Sequence, residues 1–121
     1  MTPDDVRRLA LALPETSESA HMNRPDFRVR GKIFATLNPD EQCTVVKLTS
    51  GDQQMRVETE PLVFAPVPSK WGLQGWTTIN LALSDEVALQ SALLAAWSAV
   101  APKSLVARAA GRLPTAPMDQ A

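Results

Sequence analysis

Apolar residues recur at helical spacing near both ends of this chain and alternate with polar ones in between. At the N-terminus Val6, Leu9 and Leu13 share one helical face. Thr2-Pro3-Asp4-Asp5 ahead of them suits a helix start: a capping hydroxyl, a proline at the first helical position, and acids at the positive end of the dipole. Pro14 stops this helix, and Arg7, Arg8 and Leu11 point outward or sideways. Residues 15–25 are polar and without period, and the most they predict is a short strand around Ala20–Met22. From Asp26 to Arg30 the alternation is strict, with Phe27 and Val29 on one side and Asp26, Arg28 and Arg30 on the other. Gly31 supplies a turn with Arg30 or Lys32 beside it, Ile33–Leu37 returns, Asn38-Pro39-Asp40-Glu41 turns again, and Gln42–Leu48 forms a third strand. Connections this short make an antiparallel meander.

Thr49 or Ser50 can cap a helix running to Thr59, thin in apolar content (Met55, Val57). Val63–Ala65 reads as a short strand. The segment Ser69–Trp76 reads as a loop stiffened by Trp71 and Trp76 and loosened by Gly72 and Gly75. Thr77–Leu83 is the last strand. Ser84 then caps a long helix with a stripe of Leu89, Leu93, Trp97 and Val100, joined at its side by Val87 and Leu94. Its other face is alanine-rich (Ala88, Ala92, Ala95, Ala99), a surface for solvent or for a helix of a second copy. Pro102 kinks or restarts the helix, a shorter piece reaches about Ala110, and residues 111–121 read as a flexible tail. The pattern predicts one α+β domain over residues 1–110: an antiparallel β-sheet with N-terminal and C-terminal helices packed on one face.

Composition narrows the partners. The 121 residues are 45% hydrophobic and 21% charged, with a net charge of −1, the balance of an ordinary globular domain. A weakly acidic chain argues against a protein held to nucleic acid by bulk charge alone. The single cysteine, Cys43, excludes an internal disulfide and suits a reducing compartment. MTPDD lacks the features of a signal peptide, and no apolar run is long enough to span a membrane. A cytoplasmic protein with no membrane partner is the expectation.

Charge is concentrated locally. Arg24, Arg28, Arg30 and Lys32 fall within nine residues of the first hairpin. Cations so placed suit phosphate contact, and a two-stranded ribbon can enter a major groove; the plainer reading is a charged edge that resists self-pairing. Lys47, after Val45 and Val46 on its strand, either reaches an anion or snorkels to water. Trp71, beside Lys70, is the more exposed candidate for stacking, while Trp76 reads as core. No catalytic, metal or cofactor set is predicted. One His (His21) and one Cys cannot fill a tetrahedral zinc site, the glycines lack a phosphate-loop context, and the carboxylates are scattered.

PDFRVRGKIFATL, the Val46-Lys47 pair, WGLQGWT and the late AAW helix together resemble the MmcQ/YjbR-like family, over roughly Glu15 to Arg108. The resemblance implies a fold similar to bacterial frataxin and a "double wing" picture in which β-hairpins meet double-stranded DNA. Its hairpin lands on Arg28 to Leu37, its strand lysine on Lys47, and its second loop on Lys70 to Trp76. Trp97 stands where many relatives carry tyrosine, so no role resting on a phenol carries over. The first functional expectation is therefore a non-enzymatic DNA-binding domain, touching phosphates through Arg24, Arg28, Arg30, Lys32, Lys47 and Lys70 with Trp71 adjacent. The alternative is an adaptor for a protein partner or for an anionic or planar small molecule, with Trp71, Lys47 and His21 lining the pocket. A monomer or weak homodimer fits either reading.

Overall fold

The structure, a computed structural model, describes residues 1–109. Helix α1 (Pro3–Leu11) begins with a reciprocal cap: the Thr2 hydroxyl accepts from the Asp5 N–H at 3.2 Å, and the Asp5 carboxylate accepts from the Thr2 N–H at 2.8 Å. That bond from the Thr2 backbone holds the Asp5 carboxyl below its ordinary range. Six strands follow the helix in antiparallel pairs: β1 (Thr16–His21), β2 (Arg24–Val29), β3 (Lys32–Asn38), β4 (Cys43–Lys47), β5 (Phe64–Pro66) and β6 (Trp76–Asn80). They form one sheet in the order β1-β2-β3-β4-β6-β5. Helix α2 (Ser50–Thr59) joins β4 to β5, α3 (Lys70–Leu73) joins β5 to β6, and α4 (Glu86–Val100) and α5 (Lys103–Ala109) close the described chain.

Two-residue turns join the first three strands. Met22 and Asn23 have φ of 53° and 65°, and Arg30 and Gly31 have φ of 53° and 81°. Two positive φ values in succession make the turn whose twist matches the flanking strands. The β2–β3 ladder slips by one residue between Phe27 and Arg28. This bulge brings neighbouring Phe34 and Ala35 both into the core, each fully buried.

The core lies on one side of the sheet. Phe27, Val29, Leu37, Val46, Phe64 and Ile79 meet Val6 and Leu9 of α1 and Leu89, Leu93 and Trp97 of α4. Trp97 is fully buried, and its indole N–H donates to the Pro14 carbonyl at 3.0 Å. Helices on one face leave the other face of the sheet uncovered, as the α+β pattern predicts. No helix among the described residues is long and apolar enough to cross a membrane.

Several local expectations change. β1 is a full strand of six residues, because an edge strand exposed on both sides carries no apolar alternation to reveal it. Of the two neighbours open to the Gly31 turn, Arg30 takes the place and Lys32 begins β3. The segment after Ser69 winds into a turn of helix where a loop was expected. The cap of α4 is Asp85, whose carboxylate accepts the Ala88 N–H at 2.8 Å; the Ser84 hydroxyl donates instead to the Asp85 carbonyl. Val87 is exposed, whereas Ala92 and Ala96 are fully buried, so small residues let α4 lie close against the sheet. The end of the domain at 110 and the tail over 111–121 lie outside the described residues.

Candidate functional site

Strand alternation places polar and apolar side chains side by side on the uncovered face. One row crosses all six strands: Ser19 beside Asp26, then Thr36, Val45, Thr78 and Ala65. Over this row runs a groove of about 460 Å³, with Arg24 and Ile33 at one side, Thr36, Val45 and Thr78 on the floor, and Trp71 and Trp76 at the other side. A second hollow of about 410 Å³ continues it past Arg24, Ile33 and Thr36 to Asp26 and Met22.

The tryptophans are held by backbone packed without room for a side chain. A Cβ on Gly72 would lie 2.0 Å from the Val67 carbonyl oxygen, and one on Gly75 would lie 1.9 Å from that of Leu48. Gly75 also has φ of 102°, which other residues rarely adopt. These glycines do not loosen the segment; they let it close on the residues that follow β4 and β5, Leu48 and Val67. Leu48 N–H donates to the Gly75 carbonyl and Val67 N–H to the Trp76 carbonyl, both at 2.9 Å. The Gln53 amide of α2 donates to the carbonyls of Gly72 and Trp76 and to the Thr77 hydroxyl at 3.0–3.3 Å. Trp71 is left 53% exposed on this mount, while Trp76 is half-buried.

The basic residues separate into two groups. Arg28 donates through Nε and Nη2 to Asp26 at 2.9 and 3.1 Å, and Asp26 is only 1% exposed. Arg30 makes the same two-pronged contact with Glu15, which Arg108 approaches at 3.6 Å. These bonds raise both guanidinium pKa values, and the bond from Arg30 lowers that of Glu15. Arg24, Lys32, Lys47 and Lys70 form no ion pair among the described residues. Arg24 borders the groove, and Lys47 lies over the Trp76 ring with its ammonium 5.9 Å from the centroid. Lys70 is exposed on the first residue of α3, beside Trp71 in the chain. Lys32 pairs in register with core-facing Val29 and borders a separate hollow near the end of α4, which Lys47 and Thr49 also line.

The geometry therefore joins Arg24, Trp71 and Trp76 at one groove, sets Lys47 over the Trp76 ring but on the lining of the separate hollow, and engages Arg28 and Arg30 with the molecule's own acids. The sequence reading missed the groove floor. Thr36, Val45 and Thr78 are legible as one row only when the register of three strands is known. Cys43 is buried, burial raises its thiol pKa, and the Asn38 amide donates to its sulfur at 3.6 Å. His21 ends β1 opposite Arg24, and the pocket role expected of its side chain lies outside what the structure describes.

Residues 11–99 match the sequence model of the YjbR family. The chain belongs to the YjbR family. The matched span holds every residue of the groove. This YjbR chain is also similar in fold to the crystal structure of Deinococcus radiodurans protein DR2400, a DUF419 domain. The two share 18% sequence identity over 93% of this chain and 89% of that one, with a TM-score of 0.72. No curated protein matches this YjbR chain in sequence.

Proposed function

We propose that this YjbR chain is a non-enzymatic DNA-binding domain that takes unpaired bases on the open face of its sheet. The carrying observation is that Trp71 and Trp76 share one groove with Arg24, and that Lys47 lies over Trp76. Aromatic faces stack on any base, and nearby cations meet the phosphates that follow. This reading keeps the expected DNA contact with Arg24 and the Trp71 loop, replaces the expected duplex by a single strand, and leaves out Arg28 and Arg30 of the hairpin. Arg28 and Arg30 would have to leave carboxylates to grip a duplex, and one of those carboxylates is buried. Two or three phosphate contacts suffice for a site of this size, so a net charge of −1 is no obstacle.

The volume of about 460 Å³ also suits a single flat anion, such as a nucleotide or an aromatic carboxylate, which is the second reading. Polarisation of a labelled oligonucleotide tests the first. A single strand should bind more tightly than the matching duplex, and log affinity should fall with log salt at a slope of about −1.4 to −2. Trp71→Ala should weaken binding about fivefold or more, since base stacking on an aromatic carries that much, while the melting temperature holds because the ring is half-exposed. No strand binding at low salt, or a duplex preference abolished by the Arg28→Ala/Arg30→Ala double change, would refute the proposal. Binding of mononucleotides with no gain from a longer strand would select the second reading.

A further inference from the structure

The two edges of the sheet are built differently. β5 has three residues and ends in Pro66, which blunts it. β1 has six residues, with no proline, no lysine or arginine, and no slip in its ladder to β2. Ser17, Glu18, Ser19 and Ala20 are exposed. Its one acid, Glu18, pairs in register with core-facing Phe27 and so lies on the helix side, where Arg7 Nε donates to it at 3.2 Å. Among the described residues, no strand pairs with the outer edge of β1.

The tight turn at Met22-Asn23 fixes which backbone groups face out. In a two-residue hairpin the closing pair, here His21 and Arg24, exchanges both hydrogen bonds. Strict alternation then commits Ser17, Ser19 and His21 to β2 and turns the N–H and C=O of Glu18 and Ala20 toward solvent.

We propose that β1 pairs antiparallel with β1 of a second copy of this chain, about a two-fold axis through Ser19. The register follows from charge and pleat. Paired residues must lie on the same face, so an axis through a residue allows pairing and an axis between residues does not. An axis through Glu18 sets the two glutamates directly opposite, which is repulsive. An axis through Ser17 overlaps only residues 16–18 of each strand. The axis through Ser19 overlaps residues 17–21, sets Glu18 against Ala20 of the second copy twice over, and forms four backbone hydrogen bonds. The partner is a second copy because β1 complements itself: small neutral side chains meet at the axis and the one acid meets an alanine. An axis normal to the sheet leaves both open faces on the same side, so the pair is one continuous sheet carrying two grooves.

Sedimentation equilibrium of the full chain, in a series reaching about 1 mM where weak pairs populate, should show the average mass rising from 13.1 kDa toward twice that value. Ala20→Pro removes an outward N–H and no bond to β2, so this variant should stay at the single-chain mass with an unchanged melting temperature. Cysteine cross-linking reads the register independently of that variant. Facing residues at a non-hydrogen-bonded position lie within disulfide reach, so S19C should cross-link under mild oxidant at least about ten times faster than A20C. Cys43 is 8% exposed and gives little background. A constant 13.1 kDa mass, or cross-linking of A20C as fast as S19C, overturns the proposal.

Discussion

Substituting Gly75 with alanine tests whether the tryptophan mount is as tight as its geometry states. The new Cβ would sit 1.9 Å from the Leu48 carbonyl oxygen, against an ordinary contact near 3.4 Å, so the segment must move off Leu48 by more than an ångström. That movement breaks the 2.9 Å bond from Leu48 N–H to the Gly75 carbonyl. Losing the bond costs about 1 kcal/mol. Forcing alanine to a φ of 102°, or straining its neighbours to avoid it, costs about 1–3 kcal/mol. The sum, about 2–4 kcal/mol, corresponds to a fall in melting temperature of about 8–15 °C for a domain of this length. Thermal unfolding followed by far-ultraviolet circular dichroism measures it. Gly51 is the control: it lies in the first turn of α2, and a Cβ there meets nothing within 4 Å. Gly51→Ala should leave stability equal or raise it by about 0.5 kcal/mol. If Gly75→Ala melts within about 2 °C of the parent, the close approach is not a constraint and the rigidity argued for Trp76 fails with it.

The ion pairs and the thiol give three further tests. Arg28→Ala should lower the melting temperature clearly more than Arg30→Ala, because it strands a carboxylate that is 1% exposed, whereas Glu15 stays in water. The folded-state pKa of Glu15 is depressed, so its contribution is fully present above the unfolded value and is lost as pH falls through the folded one. The stability gap between the parent and Glu15→Gln should therefore close in acid and persist at neutral pH. Cys43, buried and with its pKa raised, should react with a thiol reagent in the native state far more slowly than in urea; equal rates would contradict its burial.

How much of this was legible in the sequence depended on whether local chemistry or long-range register decided each element. Thr2 with Asp5 wrote the start of α1, and Gly31 wrote the second hairpin turn, because a cap and a positive φ are local demands. Phe27 and Val29 announced the core face of β2 by alternation. β1 announced only its end, in the short strand expected around Ala20–Met22, since an edge strand open to water on both faces needs no apolar period. Its turn was hidden too, because Met22 and Asn23 take a conformation usually marked by glycine. At the site, the cluster of basic residues was visible but its chemistry was not. Asp26 lies two residues from Arg28, close enough in sequence to suspect a pair. Glu15 reaches Arg30 only because β1 folds back on β2. Gly72 and Gly75 were visible as well, yet the same letters serve a hinge or a close approach, and only the carbonyls of Val67 and Leu48 distinguish the two.

The placement of the three tryptophans also gives the molecule a built-in optical ruler. The chain has no tyrosine, so its near-ultraviolet emission comes from indoles alone. Trp97, sealed in the core and bonded to Pro14, supplies a blue-shifted emission insensitive to quenchers in solution. Trp71 supplies a red-shifted component open to them, and the ammonium of Lys47 sits against Trp76. Acrylamide or an arriving aromatic ring should therefore dim only the long-wavelength side of the spectrum, with the short-wavelength side as an internal standard for concentration and folding.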